Sequence, residues 1–168
     1  MSSLMTALGL DIGHETMGSD GTSDWRRAPL EPKEFDHVLH VVRDPFMTIT
    51  SMWLTTAEKS RDFMWDNIRR TYGLPAMDDC LLRTAMSYLL WHKMIAEHDL
   101  SLVTCVEDAC VTVPDWLYEN GHINSPQYHL DANRNARPHR ELGKHEWEQL
   151  PSSLLDEIKE FGARYNYV

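Results

Sequence analysis

The stretch Phe35-Asp36-His37-Val38-Leu39-His40-Val41-Val42-Arg43-Asp44-Pro45-Phe46-Met47-Thr48-Ile49-Thr50-Ser51 decides the fold. Its first half, Phe35 to Val42, is apolar, β-branched and almost continuous, the composition of a central strand covered on both faces. Its second half starts a helix: Asp44 is placed to cap free N–H groups, and Pro45 suits the first helical position. That helix is expected to run through Thr48, Ser51 and Trp53 toward Thr56. A buried strand passing directly into a capped helix is the basic unit of an α/β layer fold, in which ligands bind at the carboxyl ends of the strands.

The same junction carries chemistry. A helix N-terminus presents unpaired N–H groups and the positive end of the helix dipole. Arg43 adds a permanent cation whose forked donors match a phosphate. Thr48 and Ser51 are three apart and share a helix face near that end. Together they form a phosphate cradle. The alternative is structural: Arg43 and Asp44 form a salt bridge and a cap, and no ligand binds.

Outward from the junction the chain alternates in the same way. Ser2 to Leu8 reads as a short helix with Leu4, Met5 and Leu8 on one face, stopped by Gly9. Leu10 to Ile12 reads as a short strand, and Gly13 to Pro32 is mainly loop. A short helix is expected over Ser60 to Thr71 and the strongest over Met77 to His98, where Leu81, Leu82, Ala85, Met86, Leu89, Leu90 and Met94 recur at helical spacing. Leu100 to Val106 is a second buried strand, Pro114 to Asn120 a short helix, and about Pro151 to Tyr165 the last helix. Ile123 to Lys144 is a long polar segment with several arginines, of the kind that more often carries function than simple connection. No repeat, linker or second domain is legible, so the expectation is a single domain over 1–168 with strands separated by helices and a parallel sheet.

The 168 residues suit one core, and 42% hydrophobic with 25% charged residues is an ordinary globular balance. No apolar run reaches the roughly 20 residues of a membrane span. Met1 to Leu10 has neither the basic start nor the cleavage site of a secretory signal, which places the chain in the cytoplasm by expectation. The net charge of −10 disfavours nucleic acid and anionic membranes as partners, while a small anion needs only a local cluster of cations. The three cysteines, Cys80, Cys105 and Cys110, have no CxxC spacing and read as buried free thiols. Nine histidines invite a metal, but no HExxH or comparable ligand spacing exists, so no metal cofactor is expected.

Arg43-Asp44-Pro45 followed by Ser51, eight residues after the arginine, resembles the 3′-phosphate-binding motif of the sulfotransferases that use 3′-phosphoadenosine-5′-phosphosulfate (PAPS). Ala7 to Glu15 and Asp20 to Trp25 look like the stretch after the first helix in a bacterial-type branch. Val106-Glu107-Asp108 resembles the family's strand-ending acidic pair. Asn135-Ala136-Arg137-Pro138-His139, then Trp147 and a last helix ending Tyr165-Asn166-Tyr167, look like its C-terminal part. The resemblance implies a P-loop-like three-layer sandwich with a small parallel sheet flanked by helices. It implies PAPS as co-substrate, a small-molecule or carbohydrate acceptor, and Arg43 and Ser51 as ligands of the 3′-phosphate. The family opens with a strand and a loop, roughly Gly-x-x-Arg-Ser-Gly-Thr, that binds the 5′-phosphosulfate. Met1 aligns inside the helix after that loop, so the resemblance implies a chain truncated before it, with the first strand missing and a sheet edge through which the protein could oligomerise.

The remaining roles follow from the chemistry of sulfuryl transfer, which needs a base for the acceptor and cations for the leaving phosphate. His14 and Glu15 follow the short early strand, and either is a candidate catalytic base; a solvated loop pair is the alternative. Arg134, Arg137, His139, Arg140 and Lys144 make the dense cationic segment, and Arg137 best matches the family's late basic contact to the 3′-phosphate. Trp25 is a candidate for the acceptor pocket, whereas Trp53, Trp65, Trp91, Trp116 and Trp147 are expected in the core. Glu107 and Asp108 either reach the site or cap the next helix. Two functions remain open: a sulfotransferase acting on a hydroxyl or amine, and a non-catalytic nucleotide-binding remnant or interaction module. Another nucleotide-binding α/β protein, such as a small kinase relative, is disfavoured because the chain has no GxxxxGK[ST] loop.

Overall fold

The computed structural model describes residues 1–24, 27–30, 35–55, 58–129 and 141–167. The elements in chain order are α1 (Ser2–Ala7), β1 (Ile12–His14), β2 (Gly21–Ser23), α2 (Arg27–Leu30), β3 (Leu39–Val42), α3 (Pro45–Thr55), α4 (Glu58–Tyr72), α5 (Cys80–Ala96), β4 (Leu102–Cys105), α6 (Ala109–Glu119), α7 (Lys144–Trp147) and α8 (Ser152–Ala163). The architecture is mixed α/β with small parallel sheets. The chain forms two compact units, Met1–Val42 with His98–Arg137 and Arg43–Glu97 with Pro138–Val168.

In the first unit β3 and β4 pair in parallel, Leu39 opposite Leu102 and Val42 opposite Cys105. Alternation along the strands puts Leu39, Val41 and Leu102 on one face. That face packs on a core of Leu4, Met5, Ala109, Val113, Leu117 and Ile123, so α1 and α6 cover it. Leu4 and Met5 are buried, and each contributes about 2 kcal/mol of apolar transfer, which is how a six-residue helix is stable here. The opposite face carries His40, Val42, Val103 and Cys105; His40 and Val42 are buried. The regular strand is shorter than Phe35 to Val42. Pairing extends only by single bonds, from Ser101 N–H to the Val38 carbonyl at 2.9 Å and from Val106 N–H to the Val42 carbonyl at 2.7 Å.

The segment Gly13 to Pro32 is not loop throughout: β2 lies parallel to β1, joined by residues 15–20. So short a parallel connection needs its own fastening, because crossovers ordinarily take a dozen residues or more. Two aspartates supply it. Asp11 N–H donates to Asp20 Oδ2 at 2.7 Å, and Ser19 N–H donates to Asp11 Oδ2 at 2.8 Å. The Ser19 N–H, with its hydroxyl second, holds the Asp11 carboxyl below its ordinary pKa. Gly18 is required by the same closeness, since a Cβ there would sit 2.1 Å from the Asp11 carbonyl oxygen.

Helix α6 begins at Ala109 rather than at Pro114, which lies fully buried inside it. Proline there deprives the Cys110 carbonyl, four residues back, of its helical donor. The Tyr128 hydroxyl donates to that carbonyl instead. Tyr128→Phe is therefore expected to cost about 1 kcal/mol, read as a lower urea midpoint; water reaches the exposed Cys110 and limits the loss. An unchanged midpoint would show that Pro114 needs no such compensation.

The second unit is helical among its described residues. Helix α5 packs against α3, α4 and α8. It starts at Cys80, later than Met77, because Asp79 caps it by accepting from Leu82 N–H at 2.9 Å. Ile49, Trp65, Ile68, Leu81, Ala85, Leu89 and Ile158 are buried in this unit. Arg61 of α4 donates to the Met52 and Trp53 carbonyls at 3.3 and 3.1 Å, satisfying the end of α3. Among the tryptophans Trp65 and Trp91 are core, while Trp53, Trp116 and Trp147 are half-buried; Trp25 lies outside the described residues. The cysteines are free thiols, but Cys80 and Cys105 are only partly buried and Cys110 is exposed. Among the described residues no helix is long and apolar enough to cross a membrane.

Candidate functional site at the start of α3

Helix α3 begins as the sequence requires. Asp44 accepts from Met47 N–H at 3.0 Å through its side chain, and its carbonyl accepts from Thr48 N–H at 2.9 Å. Pro45, at the first helical position, has no N–H to satisfy. The Asp44 carboxylate is thus turned back onto the helix. Arg43 is exposed, and among the described residues its guanidinium makes no ion pair or hydrogen bond. The salt bridge between Arg43 and Asp44, the structural alternative, does not form.

Two parts of the expected cradle change. The helix end is largely closed by its own cap, so the backbone N–H groups contribute less to an anion seat than the sequence suggests. The Thr48 hydroxyl donates to the Asp44 carbonyl at 2.8 Å and so serves the helix rather than a ligand. Arg43 stands exposed at this helix start, and Ser51 lies half-buried two turns along.

The backbone of residues 43–46 is fixed from three sides within the second unit. The Tyr88 hydroxyl of α5 donates to the Arg43 carbonyl at 2.8 Å. Helix α8 approaches Pro45 so closely that a Cβ at Gly162 would lie 3.1 Å from Pro45 Cγ and 2.9 Å from the Tyr167 carbonyl oxygen. Trp147 meets Phe46 edge-on at 5.0 Å. The sequence reading of α5 as an apolar stripe passed over Tyr88, whose role depends on a hydroxyl reaching a main-chain oxygen.

The other candidates belong to other segments of the chain. His14 ends β1 in the first unit and is exposed. Glu15 follows with φ of 55° and donates its N–H to the Ser23 carbonyl at 3.3 Å. Arg137, with Arg134, His139 and Arg140, lies outside the described residues; Lys144 is exposed and pairs with Glu148 at 3.5 Å. Asp108 takes the N-cap position of α6, but only its carbonyl caps, accepting from Val111 and Thr112 N–H at 2.9 Å. Burial, and then the Asp108 carboxylate, raise the Cys105 thiol pKa.

A cavity of about 590 Å³ opens at the amino ends of β3 and β4, lined by Phe35, Asp36, His37, His98, Asp99 and Ser101 among others. His37 Nδ1 lies 3.2 Å from Ser101 Oγ, and the His37 ring meets His122 edge-on at 4.7 Å. Among the described residues the lining holds two carboxylates, Asp36 and Asp99, and neither lysine nor arginine. Among the described residues no three His, Cys, Asp or Glu side chains are grouped to hold a metal ion. No family model, curated protein or solved structure matches the chain.

Proposed function

We propose that this is a sulfotransferase-like protein that moves a sulfuryl group from PAPS to a hydroxyl or amine on a small-molecule or carbohydrate acceptor, within a P-loop-like α/β fold. Arg43 and Ser51 hold the 3′-phosphate, Arg137 adds a second guanidinium to it, and His14 or Glu15 takes the acceptor proton. The carrying observation is the division of labour at the start of α3: Asp44 is committed to the cap, and Arg43 is left exposed with its charge uncompensated among the described residues. A guanidinium so placed, two turns before Ser51, has the charge and fork geometry for a phosphate monoester.

The test is calorimetry with 3′-phosphoadenosine-5′-phosphate beside adenosine 5′-monophosphate, which lacks the 3′-phosphate. The expected result is clear preference for the first. Equal affinity, or no binding of either, would remove the basis of the proposal. Transfer of labelled sulfuryl groups to phenol, amine and sugar acceptors then separates an enzyme from a nucleotide-binding protein that does not turn over.

A further inference from the structure

The geometry points to Tyr88 as the positioning residue of this nucleotide seat, acting through the Arg43 main chain; the inference rests on the proposed role of Arg43. The hydroxyl donates to the Arg43 carbonyl at 2.8 Å from a side chain that is only 2% exposed. The bond does two things. It fixes the peptide between Arg43 and Asp44, and with it the direction in which the arginine side chain leaves the backbone. It also engages one lone pair of the carbonyl oxygen and holds that oxygen toward Tyr88, whereas turned outward it would present negative charge to an incoming phosphate.

The tyrosine is itself held. Its ring meets His92 at 4.5 Å and Phe161 at 5.6 Å, both edge-on, so α5 and α8 fix its position together. Burial, and then the Asp44, Tyr167 and Tyr165 groups nearby, hold the phenol well above its ordinary pKa, so it is a donor throughout the physiological range. The main chain at Arg43 is pre-organised by folding, which leaves only the side chain to be ordered on ligand binding.

Tyr88→Phe removes one oxygen and leaves the ring contacts. The readout is the ratio of affinities for 3′-phosphoadenosine-5′-phosphate and adenosine 5′-monophosphate, measured beside thermal unfolding. The ratio is expected to fall about fivefold to tenfold, chiefly through loss of affinity for the 3′-phosphorylated nucleotide. General loosening would weaken both nucleotides alike and leave the ratio unchanged, which would overturn the assignment. If the unaltered protein shows no preference, the proposed role of Arg43 fails first and this inference with it. If it shows one that Tyr88→Phe retains, only the role of Tyr88 falls. Phe161→Leu loosens the same aromatic packing while keeping the hydroxyl, and it decides the matter should Tyr88→Phe not fold. It is expected to lower the ratio in part, because Phe161 helps to hold the Tyr88 hydroxyl in place, and an unchanged ratio would count against Tyr88.

Discussion

Arg43→Ala is expected to lower affinity for 3′-phosphoadenosine-5′-phosphate by about 2–3 kcal/mol, on the order of a hundredfold, while leaving the unfolding midpoint nearly unchanged. The two halves of this expectation have separate causes. The guanidinium is exposed and engages no ion pair among the described residues, so its removal takes nothing from the folded chain. The hydrogen bond that does use this residue comes from Tyr88 to the main-chain oxygen, which alanine keeps. Arg43→Lys should fall between the two, because an ammonium preserves the charge and loses the forked pair of donors. A variant that unfolds while its affinity stays intact would make Arg43 a structural residue after all.

The second large effect is on stability and depends on His40. Its side chain is 6% exposed on β3, and burial lowers its pKa from 6.5 to about 4. The folded protein therefore resists a proton that the unfolded chain accepts below pH 6.5. Between those values the unfolded state binds more protons, so stability rises with pH, is fully present above pH 6.5 and is lost as the pH falls toward 4. The loss reaches about 2 kcal/mol near pH 5 and about 3 kcal/mol near pH 4. His40→Gln cannot titrate, and the difference between its urea midpoints at pH 7.5 and pH 5 should shrink accordingly. Parallel pH profiles for the two proteins would show that this histidine is not the group responsible.

What was legible in the sequence was local and periodic. The Leu4, Met5 and Leu8 spacing, the Leu81 to Met94 stripe, the aspartate and proline opening α3, and the paired strands around Val41 and Val103 all correspond to observed elements, with ends moved by a few residues. The failures have identifiable causes. Pro114 reads as a helix start because the residue that compensates it, Tyr128, is distant in sequence. Strand β2 is Gly21-Thr22-Ser23, with no apolar periodicity to detect, and is held by the bonds around Asp11 and Asp20 instead. At the candidate site the Arg43 and Asp44 pair was legible, but their choice between a salt bridge and a cap was not, since both use the same two residues. Tyr88 escaped because its partner is a carbonyl 45 positions away, and main-chain partners leave no mark in composition.

The two parallel pairs of the first unit differ in what they ask of the chain as it folds. Strands β1 and β2 meet across residues 15–20, whereas β3 and β4 meet only after residues 43–101 have been threaded between them. Closing a connection roughly tenfold longer costs about 2 kcal/mol more in chain entropy. The β3–β4 pair is therefore expected to form after the aspartate-fastened pair, since it must enclose the excursion of the chain through Arg43–Glu97.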